Sequence, residues 1–289
     1  EEILMAVLCG LFLILILQCL QHPEHLTEIN HSKKNSMKRI SIIVIIGVLF
    51  YSCNKTNTSG PVIEIPTGIL ELTDSYKVEI PEPSGLSFGP NNTTLLTISD
   101  HTNQVYELDF QGNILREYDY VGKDLEGVTY NSDKNLIAIA EEADREITLI
   151  EYESGNKVES YRIEISIGSA NSGLEGISYN KNNNLYYIVN ETNPDLMIVW
   201  SPENGIVSEH KLDFASDYSG IFVEEKKSLL WFVSDQSRSL YKCDYNANVL
   251  LKFSLDDLKY EGIVIDDDIV YLINDATGRL NVYKIKKEI

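Results

Sequence analysis

A short motif that recurs five times along the chain constrains its fold more than any other feature. Each copy centres on a glycine, as in Asp124-Leu-Glu-Gly127 and Gly173-Leu-Glu-Gly176. The spacings between successive motif glycines are 42, 49, 44 and 42 residues. A period of about 40–45 residues is that of a four-stranded propeller blade. The sequence therefore predicts an all-β, closed β-propeller. The motif glycines are Gly85, Gly127, Gly176, Gly220 and Gly262.

Strand patterns within the repeats predict how the ring closes. Each of the first four repeats contains four short apolar segments separated by turn residues, whereas the fifth has only three. A spare strand pattern, Tyr76–Ile80, precedes the first repeat. Its pairing with Leu280–Ile285 would complete the last blade and hide two sheet edges. We expect five blades; six would require a further repeat, for which only Val62–Thr73 remains.

The region before the repeats indicates targeting to the cell envelope. Residues 1–36 contain an apolar run, Ile3–Leu20, and are interpreted as an upstream segment outside the mature protein; a genuine N-terminal membrane helix is the alternative. Residues 37–52 have a basic start, an apolar centre and a small residue before Cys53, which is typical of a lipoprotein signal. The alternative is an uncleaved anchor. Residues 53–67 then form a flexible tether, and residues 68–289 form the propeller.

Lipidation of Cys53 would place a membrane-anchored lipoprotein in the cell envelope, facing the periplasm or the exterior. The net charge of −20 excludes nucleic acid as a partner and favours cations. We expect a monomer. Cys243 lies alone in a strand pattern and is predicted to be a small core residue. No motif for a Ser/His/Asp hydrolase is found in the sequence.

Acidic residues recur at two positions of the repeat. One set directly precedes three of the glycines, and the other ends the second strand of every repeat. Adjacent antiparallel strands bring these two positions to the same mouth of a propeller channel. The predicted site therefore consists of Glu126, Glu175, Glu261, Asp100, Glu142, Glu191, Asp235 and Asp275.

Such a ring of carboxylates repels itself unless something offsets the charge. Protonation, basic partners or a cation would do so, and oxygen ligands in a ring suit Ca²⁺. Two alternatives stay open. Acids at strand ends also accept hydrogen bonds from backbone N–H groups in turns, and a cationic organic ligand would fit the same charge.

Three arginines follow the strand-end acids closely. Arg145 and Arg238 come three residues after Glu142 and Asp235, and Arg279 comes four after Asp275. They are interpreted either as salt-bridge partners within their own loops or as binding residues for an anionic ligand over the mouth.

The order and spacing of the repeat motifs resemble the SdiA-regulated (YjiK-like) β-propeller family. The segments that carry the resemblance include Ala140-Glu-Glu-Ala-Asp-Arg145, Val233-Ser-Asp-Gln-Ser-Arg238 and Tyr260-Glu-Gly-Ile263, and the likeness covers about Tyr76–Ile285. The resemblance implies a β-propeller in an envelope-associated bacterial protein. Two functions are expected: a lipid-anchored binding or scaffold module that recognises a small ligand or protein at the mouth, or a Ca²⁺-dependent hydrolase of the lactonase or phytase kind.

Overall fold

Twenty β-strands and no α-helix make up the described part of the chain, which is residues 65–165, 173–257 and 259–286 of a computed structural model. The predicted upstream segment, signal and lipidated Cys53 lie outside these residues. Along the chain the strands are β1 Thr67–Lys77, β2 Pro83–Phe88, β3 Leu95–Ser99, β4 Gln104–Leu108, β5 Ile114–Val121, β6 Leu125–Asn131, β7 Leu136–Glu141, β8 Glu146–Glu151, β9 Lys157–Arg162, β10 Leu174–Asn180, β11 Leu185–Asn190, β12 Leu196–Ser201, β13 Gly205–Lys211, β14 Gly220–Glu224, β15 Leu229–Ser234, β16 Ser239–Cys243, β17 Val249–Ser254, β18 Tyr260–Asp266, β19 Ile269–Asn274 and β20 Arg279–Lys286.

The strands pair in the order of the sequence repeats. β2–β5, β6–β9 and β10–β13 form three four-stranded antiparallel sheets, and an eight-stranded sheet has the order β14-β15-β16-β17-β1-β20-β19-β18. The first strands of the repeats, β2, β6, β10, β14 and β18, contact one another in cyclic order. This arrangement confirms the predicted all-β propeller.

The ring is closed by an N-terminal strand, as predicted, but the strand overlaps the predicted Tyr76–Ile80 only at Tyr76 and Lys77 and begins at Thr67. Thr67–Lys77 pairs antiparallel with Arg279–Lys286, with a register shift between Leu72 and Asp74. The prediction was wrong in its bounds for two reasons. The bulge breaks the alternation of apolar and polar residues along β1, and the buried Val78 and Ile80 continue such an alternation although they lie outside the strand. They belong to the connection to β2, where the Val78 N–H donates to the Gly278 carbonyl oxygen at 2.9 Å.

The same strand also reaches the neighbouring repeat. Thr67 and Gly68 pair in parallel with Lys252 and Phe253 of β17, and the Lys252 N–H donates to the Pro66 carbonyl oxygen at 2.9 Å. This contact joins the last two repeats into one eight-stranded sheet and covers an edge that would otherwise be unpaired.

Burial falls from the axis outwards. All seven residues of β10 are buried, whereas β9 has no buried residue. The hydrophobic clusters form between the sheets of adjacent repeats; one of them contains Ile147 from one sheet and Ile188 from the next. Cys243 is buried in another cluster, which confirms its predicted place in the core. Among the described residues no helix is long and apolar enough to span a membrane.

The repeat glycines bring the inner strands unusually close to one another. A Cβ atom added at Gly127 would lie 2.2 Å from the Glu175 carbonyl oxygen, and one at Gly262 would lie 2.4 Å from the Gly85 carbonyl carbon. Both distances fall far inside van der Waals contact, so only glycine fits at these two positions. The close approach fills the axis at this level and separates the two mouths of the propeller.

Candidate functional site

The start of each inner strand and the end of its neighbour lie at one mouth of the propeller. The Glu142 N–H donates to the Asp124 carbonyl oxygen at 2.8 Å, and the Asp275 N–H donates to the Lys259 carbonyl oxygen at 2.9 Å. The structure thus brings the two sets of predicted acids to the same end. We call this end the acidic mouth; its predicted members are Asp100, Glu126, Glu142, Glu175, Glu191, Asp235, Glu261 and Asp275.

Two groups of three carboxylates form within the acidic mouth. In each group, one carboxylate oxygen from every member lies within 4.8 Å of the others. Asp124, three residues before Gly127, was missed by the sequence prediction, although comparison of the repeats at that position would have found it. The two groups are Asp100, Asp124 and Glu126, and Glu142, Glu175 and Glu191.

Burial and mutual repulsion raise the pKa values of the inner acids. Burial, followed by the charges of Asp100 and Glu261, raises the pKa of Glu126 to about 9. Burial and the nearby Glu126 carboxylate hold the pKa of Glu175 well above its usual range. The pKa of Glu261 rises to about 7, because burial outweighs the opposing charge of Lys259. Burial and repulsion therefore favour the protonated form of all three carboxyl groups, and a bound cation would favour the charged form.

The three inner acids differ in what satisfies them. Ser84 Oγ donates to Glu126 Oε2 at 3.2 Å, and Lys259 Nζ donates to Glu261 Oε1 at 3.4 Å. Glu175 is 8% exposed, and no described residue donates a hydrogen bond to its carboxylate. A buried carboxylate without a donor is costly. Glu175 is therefore the inner acid of the mouth that lacks a described partner.

Two strand-end acids do make the backbone contacts expected of turn residues. Glu142 Oε1 accepts the Gly173 N–H at 2.9 Å, and Asp235 Oδ1 accepts the Lys259 N–H at 2.6 Å. Each contact links one repeat to the next, so these acids have a structural role beside any ligand role. Asp275 differs, because its buried Oδ1 has no hydrogen-bond partner among the described residues.

Lys259 is a base in the mouth that sequence reasoning missed. It stands three residues before its motif glycine, where the second repeat has Asp124. Its Nζ lies 3.3 Å from Asp235 Oδ2 and 3.4 Å from Glu261 Oε1. Burial opposes its charge, but these two carboxylates outweigh that effect and raise the pKa of Lys259. Lys259 thus offsets part of the negative charge where the fourth and fifth repeats meet.

The three predicted ligand-binding arginines occupy different surroundings. Arg145 and Arg238 have positive φ values of 52° and 44°, and their N–H groups each donate at 3.0 Å to the carbonyl oxygen three residues earlier. The Glu142 carboxylate raises the pKa of Arg145, although burial lowers it by more. Arg238 is exposed. Arg279 Nη1 donates to the Ser75 carbonyl oxygen at 3.2 Å on the outer strand β1. Binding of an anion by these arginines stays a prediction.

Comparisons with known proteins agree with this fold. A family model described as SdiA-regulated matches residues 73–275. No curated protein matches the sequence. Among solved structures, glutaminyl cyclase from Myxococcus xanthus is similar, with a TM-score of 0.61, 9% identity, and coverage of 78% of this chain and 100% of that one. A streptogramin B lyase aligns with a TM-score of 0.45 and 14% identity over 73% of this chain and 72% of that one. The likeness to the cyclase concerns the fold alone.

Proposed function

This chain belongs to the SdiA-regulated family, and we propose that it is an envelope-anchored binding module whose acidic mouth holds a divalent cation, Ca²⁺ in the first instance. The observation that carries the proposal is Glu175. This residue is 8% exposed, no described residue donates a hydrogen bond to its carboxylate, and a carboxylate oxygen lies within 4.8 Å of Glu142 and Glu191 oxygens. A cation between these oxygens would offset burial and repulsion together.

The chemistry of the donors favours calcium over a transition metal. Both three-residue groups offer carboxylate oxygens only. Calcium takes 6–8 oxygen ligands in flexible geometry, whereas imidazole and thiolate ligands favour zinc or copper. Three protein carboxylates would leave positions for water or for oxygen atoms of a partner. A bound ion therefore gives the mouth a way to recognise a small ligand or a protein that carries such atoms.

The anchoring half of the proposal rests on the sequence before the propeller. Cys53 follows a signal-like segment, residues 37–52, and the strand β1 begins at Thr67. The intervening residues are rich in Asn, Thr, Ser and Gly, which suits a tether from a lipidated cysteine to the propeller.

Calorimetric titration with Ca²⁺ tests the cation site directly. We expect binding to the unmutated propeller and weaker binding to Glu175→Gln, which keeps the shape of the side chain but removes its charge. Asp119→Asn is the matched control, because it removes one charge from an exposed position on the outer strand β5. Equal binding to all three proteins, or none to the unmutated one, would reject the site.

A hydrolase is the second candidate, favoured by Glu261. A carboxyl group whose pKa is raised to about 7 is suited to general-base catalysis near neutral pH. Calcium-dependent turnover of a lactone or phosphate ester, abolished by Glu261→Gln with calcium binding retained, would support it. Absence of turnover with calcium bound would reject the hydrolase and favour the binding module.

A further inference from the structure

A second concave surface lies at the end of the axis opposite the acidic mouth. It is a cavity of about 280 Å³, lined by the C-terminal ends of the five inner strands. At the level of the motif glycines the axis is too narrow for a water-sized sphere, so the cavity does not continue to the acidic mouth. We call this surface the distal mouth. Its lining includes Ser87, Phe88, Thr129, Ser178, Phe222 and Glu224.

Three hydroxyl residues and one aromatic residue occupy equivalent positions in the distal mouth, and the fifth repeat has Val264 there. Two residues after the motif glycine, the first three repeats have Ser87, Thr129 and Ser178, but the fourth has Phe222. Phe222 is only partly buried, and its ring centroid lies 5.9 Å from that of Phe88 at an interplanar angle of 77°. Phe222 therefore contributes a partly exposed aromatic ring to the lining of the cavity, which is a common property of ligand pockets.

Neutral polar groups surround this aromatic face. The Thr129 and Ser178 hydroxyl oxygens each accept a backbone N–H of the following repeat at 3.0 Å. Each hydroxyl retains a hydrogen to donate, since a hydroxyl is both donor and acceptor; both residues lie at the floor of the cavity, where Thr129 is 3% and Ser178 6% exposed. Asn91 and Asn92, with positive φ values of 57° and 55°, add exposed side-chain amides at the rim.

Charged residues at the distal mouth are largely engaged by the protein itself. Glu224 Oε2 accepts the Trp231 Nε1–H at 2.9 Å, and Glu224 Oε1 lies 2.5 Å from Lys227 Nζ. Glu225 Oε1 accepts the Lys181 N–H at 2.5 Å. The exposed rim carries both signs, with Lys226 beside acids at 266 and 267. The acids in the lining outnumber the lysines, but Glu224 and Glu225 are engaged by the contacts just named, which leaves the free negative charge at the exposed rim.

We propose that the distal mouth binds one residue of a saccharide. A sugar ring has an apolar face of C–H groups, which fits against Phe222, and a perimeter of hydroxyls that both donate and accept hydrogen bonds. Thr129, Ser178 and the amides of Asn91 and Asn92 supply the complementary groups. An organic cation is the alternative ligand, because acids at 266 and 267 lie at the exposed rim, away from the hydroxyls of Thr129 and Ser178.

Saturation-transfer NMR with glucose, galactose, mannose and N-acetylglucosamine tests this site. We expect transfer to ring protons of at least one sugar, and a change in Trp231 fluorescence, because its indole is bonded to Glu224. Phe222→Leu should weaken binding about fivefold to tenfold, in line with the contribution of an aromatic contact.

A second variant protects the test against misfolding. Asn91→Gly with Asn92→Gly removes both amides while glycine accepts the positive φ, and Ala247→Gly, with φ of 62°, is the control for added backbone freedom. The double variant should bind the sugar more weakly, whereas Ala247→Gly should not. No transfer to any of the sugars, transfer that all variants retain, or Phe222-dependent binding of choline instead would overturn the proposal.

Discussion

Glu261 Oε1 lies 3.4 Å from Nζ of Lys259, two residues earlier in the chain. The inner acids of the second and third repeats, Glu126 and Glu175, have no such basic partner among the described residues. The ammonium group limits the pKa of Glu261 to about 7, whereas that of Glu126, which has only a serine donor, rises to about 9. Lys259 thus neutralises part of the acidic charge near Glu261, whereas the acids around Glu126 and Glu175 depend on a cation for the same effect.

Replacing Lys259 should redistribute this charge. Lys259→Met keeps the backbone N–H that donates to Asp235 but removes the ammonium group. We expect the pKa of Glu261 to rise and Ca²⁺ affinity to increase a few-fold, since a like charge near the cation is lost; the partial exposure of Lys259 limits the effect. Carbon-detected NMR titration and calorimetry measure these changes. Lys226→Met, at the distal mouth, is the control, and a fall in affinity for Lys259→Met would contradict the assignment.

Stability without divalent ions should fall as the pH rises. The pKa of Glu126 is raised from 4.5 to about 9, so between these values the folded state binds more protons than the unfolded state. The free energy of unfolding therefore decreases with pH across that window. Glu261 adds a smaller loss, complete near its pKa of about 7. Urea denaturation in a chelator at several pH values measures the slope; a stability that rises over the same window would contradict it.

Calcium should reverse this loss of stability. An ion that binds only the folded state stabilises it by about 2.7 kcal/mol at a hundredfold excess over Kd. Glu175→Gln should unfold at a higher temperature than the unmutated protein in a chelator, because a repelled buried charge is gone, and should gain less from calcium. Asp119→Asn provides the comparison for an exposed acid. If Glu175→Gln is less stable than the unmutated protein in both conditions, its charge is not under repulsion.

Closure of the ring should depend on Gly68. A Cβ atom there would lie 2.2 Å from Cε1 of Phe253, at the only parallel strand pairing of the described residues. Gly68→Ala should cost about 1–3 kcal/mol of unfolding free energy, as overpacking does. Thr67→Ala, at an exposed neighbour, should cost less. Adding Phe253→Leu to Gly68→Ala should restore part of the loss; no rescue would mean that the contact is not the cause.

Cys53 should decide where the protein resides. Cys53→Ser is expected to move the protein from the membrane fraction to the soluble fraction, and mass spectrometry of the mature unmutated protein should find lipid on Cys53 and no peptide from residues 37–52. Recovery of an intact 37–52 segment in the mature protein would end the lipoprotein interpretation.

Much of the fold was predictable because it depends on local and periodic features. A glycine motif at nearly constant spacing specifies sheets of similar structure. In an antiparallel pair the start of the first strand lies beside the end of the second, so acids at these two positions lie at the same end of the pair. Cys243 was assigned to the core on the same grounds. The bounds of the closing strand were predicted incorrectly, because a bulge between Leu72 and Asp74 breaks the alternation of apolar and polar residues. This alternation is the only sequence signal for strand register.

Contacts between repeats were decided by the tertiary structure. Nothing local indicates that Lys259 neutralises Glu261 and Asp235, that Glu175 is left without a described donor, or that Phe222 reaches Phe88 from another repeat. These relationships depend on the packing of the repeats around the axis: Lys259 and Asp235 come from adjacent repeats, and Phe222 and Phe88 lie more than a hundred positions apart in the chain. The sequence determined that a ring of acids would form, and the packing of the repeats around the axis determined which of them are buried, paired or available to a cation.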